Sequence, residues 1–134
     1  MALKGFVVPL EEQTEKNTDF RRVLYTGRHS QLVLMSLKPG EEIGEEVHMH
    51  IDQFFRFESG EGEVLINGIK HKVHDGDAVI VPAGANHNVT NTSQRAQLKF
   101  YTIYSPPEHI DKTIRHTKAD ALAMPEEYDG KPSE

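Results

Sequence analysis

His48-Met49-His50 and the separate His87 are the residues whose types and spacing could do chemistry. Side chains two apart in an extended strand face the same way, so His48 and His50 can present two imidazoles to one ion. The same spacing also fits an exposed histidine pair, since a short motif alone says little. A third imidazole from another strand would close a facial arrangement, and His87 is the candidate for it. Imidazole nitrogen suits zinc, iron, nickel, manganese or copper better than calcium or magnesium. The chain has no cysteine, which excludes disulfides, zinc fingers, iron–sulfur clusters and thiol catalysis. Any metal must therefore bind through nitrogen and oxygen. Glu45 and Glu46 precede His48 closely enough to shuttle a proton at its edge, or to form part of a solvated face. His29, His71 and His74 are expected in solvent, and His109 and His116 are assigned no role.

The elements that must position these side chains are strands. Short β-prone runs alternate with Gly, Pro, Asn and Asp, which predicts an all-β sandwich or barrel. Strands are expected over residues 21–25, 31–37, 47–50, 53–58, 63–66, 69–73, 78–81, 87–90 and 97–104, with helical periodicity nearly absent before residue 115. Asn67-Gly68 separates two of them and both residues tolerate positive φ, so a two-residue type I′ hairpin is expected. Ser105-Pro106-Pro107 stops the last long strand, because proline offers no backbone donor. A short helix is expected after Thr117 as N-cap, with Asp120 at the third helical position. The domain reading is a barrel with N-terminal strands over residues 1–116, then that helix and a polar tail expected to fray over residues 117–134.

Fifteen Lys and Arg against twenty-one Asp and Glu give a net charge of −6, which disfavours nucleic acid and anionic membranes as partners. The N-terminal residues carry neither a signal-peptide pattern nor a long apolar run, and a cytoplasmic location is expected.

From Gly76 the chain reads GDAVIVPAGANHNVTN, which matches G(x)5PxG(x)2H(x)3N at Gly76, Pro82, Gly84, His87 and Asn91. In this it resembles the second signature of the cupin superfamily. The first signature, G(x)5HxH(x)3,4E(x)6G, is sought upstream, where His48-Met49-His50 supplies HxH and Gly60 the closing glycine. Seven residues then separate Gly40 from His48 instead of the pattern's five. Only two residues separate His50 from Gln53, which stands where the pattern has Glu. The resemblance spans roughly residues 31–104 and implies a double-stranded β-helix, the jelly-roll cupin barrel, with one divalent metal such as Zn, Ni, Fe or Mn. The ligand set it implies is His48, His50, Gln53 and His87, with Gln53 offering an amide oxygen.

The run EEVHMHIDQFFRFESGEGEVLING looks like small stand-alone cupins described as similar to mannose-6-phosphate isomerase. The resemblance implies a metal-dependent, isomerase-like enzyme on a small oxygenated metabolite: a sugar, sugar acid or sugar phosphate. An iron-dependent dioxygenase and a non-catalytic binding or sensor module are the alternatives, since a fold does not determine a reaction. Phe55 and Phe57 share the face of Gln53, as core or as an aromatic wall to a substrate pocket. Tyr101 and Tyr104 take opposite faces of one strand, and Tyr101 is assigned to the cavity. The edge expected at residues 5–8 and 21–25 predicts a homodimer.

Overall fold

A computed structural model describes residues 2–134. Strands β1 (Arg21–Thr26), β2 (Gln31–Leu37), β3 (Glu46–Val47), β4 (Asp52–Ser59), β5 (Glu61–Ile66), β6 (Ile69–His74), β7 (Ala78–Val81), β8 (Asn86–Asn91), β9 (Leu98–Ser105) and β10 (Ile114–Arg115) are flanked by helices α1 (Leu10–Lys16) and α2 (Lys118–Ala123). They form a six-stranded sheet, β10-β1-β2-β9-β4-β7, and a four-stranded sheet, β3-β8-β5-β6. All pairings are antiparallel. This is the double-stranded β-helix with a short C-terminal helix that the sequence predicts.

Period-two patterning drives the closure. Along β4, Gln53, Phe55 and Phe57 are buried while Phe54 and Arg56 between them are not, and along β9 Leu98, Phe100, Thr102 and Tyr104 alternate in the same way. Register places Gln53 opposite Tyr104, Phe55 opposite Thr102 and Phe57 opposite Phe100, so these residues share the inner face. Rings 55, 57 and 100 meet at centroid distances of 5.2 to 6.3 Å and form the floor of the barrel. At the β4–β5 turn, Gly60 has φ +95° and a Cβ there would lie 2.6 Å from the Gln97 carbonyl, so only glycine fits.

The Asn67-Gly68 hairpin has φ of 46° and 83°, as a type I′ turn requires. Thr117 caps α2, its Oγ1 accepting from the Asp120 amide at 3.0 Å. Thr117→Ala is expected to lower the unfolding free energy by about 1 kcal/mol, read by urea denaturation; an unchanged midpoint would show that α2 adds nothing to stability.

Three differences from the sequence reading have physical causes. Residues 5–8 form no strand, and the outer side of β1 is paired by the two-residue β10 at Arg21 and Arg22, so the sheet edge expected there is covered in part. Helix α1 was invisible to periodicity because it is seven residues long. Glu11 and Glu12 in its first turn and Lys16 in its last suit the helix dipole, and Lys99 reaches across to donate to the Glu15 carbonyl at 2.7 Å. The tail expected to fray is tied back: Tyr128 N donates to the Glu108 carbonyl, Ser133 N to that of Thr26, and the Glu134 carboxylate accepts from Lys4 N, Gly5 N and the Tyr25 hydroxyl.

Candidate metal centre

Short strand β3 lays Glu46 directly opposite His87 of β8. His48 follows just beyond the end of β3 with its Nε2 3.1 Å from Glu46 Oε2, while Gly84 N donates to its carbonyl at 2.9 Å. The rings of His48 and His87 lie 5.4 Å apart. The chain then turns at Met49-His50, leaving both exposed. The strand alternation that would have aligned His50 with His48 ends at Val47. Structure therefore brings His48 and His87 together and leaves His50 in the turn outside them.

Gln53 approaches from the other sheet. It is buried opposite Tyr104, whose ring stands edge-on to His48 at 5.9 Å. Gln53 Nε2 donates to Thr102 Oγ1 at 3.0 Å, which sets the amide orientation and leaves Oε1 buried with no hydrogen-bond partner. His87 Nδ1 lies 3.2 Å from the Ala85 carbonyl; donating there reserves Nε2 as its free lone pair.

His48 is held between two carboxylates, Nδ1 3.3 Å from Glu108 Oε2 and Nε2 3.1 Å from Glu46 Oε2. Glu46 lies off the hydrogen-bonding direction, so His48 Nε2 is also buried without a partner. Burial opposes charge on His48, but Glu108 and Glu46 outweigh it and raise its pKa to about 9. Burial would raise Glu46, yet the close positive charge of His48, with those of Arg21 and His87, holds it below the usual carboxylate range. Burial pushes His87 down. Among the described residues no three His, Asp or Glu side chains are drawn together tightly enough to hold an ion as placed.

Glu46 is the residue that the reading from HxH missed, and the signal for it was present. Counted from Gly40, five residues precede Glu46, one separates it from His48, four separate His48 from Gln53, and six separate Gln53 from Gly60. That is the spacing G(x)5HxH(x)4E(x)6G without a gap, with Glu in place of the first histidine and Gln in place of the glutamate. His48-Met49-His50 offers HxH two residues further along, out of step with Gly40.

The other assigned residues fall as follows. Phe55 and Phe57 are fully buried in the core, with Phe55 edge-on to His87 at 6.2 Å. Tyr101 lies on the outer face against Phe54, and Tyr104 is the tyrosine that points inward. Lys99, sharing the parity of Tyr101, was the sequence signal for that. His109, assigned no role, is buried behind Tyr104: its Nε2 is 3.3 Å from the Tyr104 hydroxyl and its Nδ1 2.7 Å from Glu126 Oε1. His116 pairs with Asp19 at the surface.

The family model for the cupin domain matches residues 33–104. The uncharacterized Bacillus subtilis protein YrkC is 47% identical over 126 residues, covering 90% of this chain and 67% of that one. An uncharacterized protein of Acanthamoeba polyphaga mimivirus is 45% identical over 107 residues, 78% of this chain and 67% of the relative. The chain thus spans about two thirds of the length of each. The crystal structure of BH2720 from Bacillus halodurans superimposes with a TM-score of 0.88 at 45% identity, over 90% of this chain and 96% of that one. Both the matched family model and the folded barrel establish that the chain belongs to the cupin family.

Proposed function

We propose that this cupin holds one divalent transition metal through Glu46, His48 and His87, with the Gln53 amide oxygen as a fourth donor, and acts on a small oxygenated metabolite. The observation that carries this reading is the pair of orphaned atoms: His48 Nε2 and Gln53 Oε1 are buried at one end of the barrel with no hydrogen-bond partner. Leaving such groups unpaired is costly, and a cation would satisfy both. The donor set conserves charge. Three histidines and a glutamate carry one negative charge, and so do two histidines, a glutamate and a glutamine.

Such a metal, when bound, polarises a substrate carbonyl or hydroxyl. The chain's own residues prepare the site. Glu108 receives the Nδ1 proton of His48, the Ala85 carbonyl that of His87, and Thr102 turns the Gln53 oxygen inward. Two imidazoles with one carboxylate are also the donors of non-haem iron oxygenases, which favours the iron-dependent alternative over a purely isomerase-like one. No helix among the described residues is long and apolar enough to cross a membrane.

Elemental analysis of untagged protein tests the reading: one transition metal per chain supports it, and metal-free protein that takes up neither zinc, nickel, iron nor manganese refutes it. Glu108→Gln is expected to weaken metal binding roughly 10–100-fold while leaving the stoichiometry intact, as measured by competition with a fluorescent chelator. Unaltered affinity would place Glu108 outside the centre.

A further inference from the structure

We infer that the substrate of this site carries a carboxylate, received by Arg21 through the crevice between α2 and the loop leading into β3. The inference rests on the metal reading above and narrows its substrate class. The crevice measures about 320 Å3 and is lined by Phe20, Arg21, Glu46, Lys118 and Ala121 among others, so it opens onto a proposed metal ligand.

Arg21 is the unusual group there. It begins β1 with the parity of Val23, whose side chain enters the core, and its own side chain is only 12% exposed. Its Nε is buried with no hydrogen-bond partner. Its one ion pair is long, NH1 to Glu126 Oε1 at 4.0 Å. Glu126 is already engaged elsewhere, Oε1 by His109 Nδ1 at 2.7 Å and Oε2 by Arg115 NH2 at 3.4 Å. Arg21 is thus a buried cation without a close hydrogen-bonded partner, its guanidinium carbon 5.4 Å over the Phe20 ring and its charge felt by Glu46 and Glu126.

An underpaired buried guanidinium is costly, and a planar anion bound edge-on removes the cost. The guanidinium fork matches a carboxylate bidentately. Glu45 and Glu46 line the same crevice, which disfavours a phosphate dianion, while Lys118 adds a second positive charge. A small hydroxy or keto acid fits this charge pattern: its carboxylate lies on Arg21 and its oxygen function faces the end of the crevice at Glu46.

The test is a nuclear magnetic resonance titration of the protein with glycolate, lactate and pyruvate, each beside its uncharged amide, and with inorganic phosphate. The acids are expected to bind at least about tenfold tighter than the amides, because a buried charged hydrogen bond is lost with the amide. Arg21→Gln is expected to erase that preference, and Arg21→Lys to retain part of it. Amides that bind as well as acids, phosphate that binds as well as the acids, acids unaffected by Arg21→Gln, or no binding by any probe would each overturn the inference. The wild-type comparison of acid with amide decides even if the variants do not fold. Metal content is read separately by elemental analysis, so the metal reading and the carboxylate assignment can fail independently.

Discussion

Glu46→Ala protein is expected to emerge from purification with metal well below one per chain, whereas His50→Ala protein is expected to match the unaltered protein. The expectation follows from placement. Glu46 lies opposite His87 and 3.1 Å from His48, while His50 sits exposed in the turn that follows. Loss of a direct donor should cost more than the roughly 10–100-fold lost with a group that merely orients one. His48→Ala and His87→Ala should match Glu46→Ala. Gln53→Glu should act oppositely, because it adds a second negative charge beside the cation. Elemental analysis after dialysis against a chelator separates the two registers of the motif. Full metal in Glu46→Ala together with depletion in His50→Ala would restore the HxH reading and discard the one proposed here.

Metal-free protein is expected to lose stability as pH rises from about 6.5 to about 9, while the metal-loaded protein gains metal affinity over the same interval. The sign follows from His48. Its folded pKa is raised from 6.5 to about 9 by Glu108 and Glu46 against the opposing effect of burial. A raised histidine pKa contributes stability that is complete below the unfolded value and disappears as pH climbs through the folded one. The contribution is therefore greatest below about pH 6.5 and gone above about pH 9. Metal requires the opposite protonation state, since His48 Nε2 must give up its proton to become a ligand. Thermal melts of chelator-treated and metal-loaded protein between pH 6 and 9.5 should therefore diverge. A flat melting temperature for the metal-free protein would mean that the two carboxylates do not hold the His48 proton. Glu108→Gln should flatten the metal-free trend in part, because one of the two carboxylates remains.

Much of the barrel was legible in the chain alone because its causes are local. Alternation in QFFRF and LKFYTIY selects strands and assigns each side chain to a face, Asn67-Gly68 selects a tight hairpin, and Thr117 with Asp120 selects a helix start. His87 was legible for the same reason, since Gly76, Pro82 and Gly84 set its turn and hence its place on β8. Glu46 was within reach of the sequence but masked by a histidine pair in a more familiar form. Helix α1 was not within reach, because seven residues without an apolar stripe are held by the sheet they lie on, not by their own pattern. Nor was the network of Glu108, His109, Glu126 and Arg21. Those residues stand up to 105 positions apart in the chain and meet only where the segment after β9 folds back across the barrel mouth. Faces and turns depend on neighbours a few residues away and can be read along the chain. Which carboxylate clamps which histidine, and which arginine is left underpaired, depends on contacts between distant segments, and these exist only once the barrel has closed.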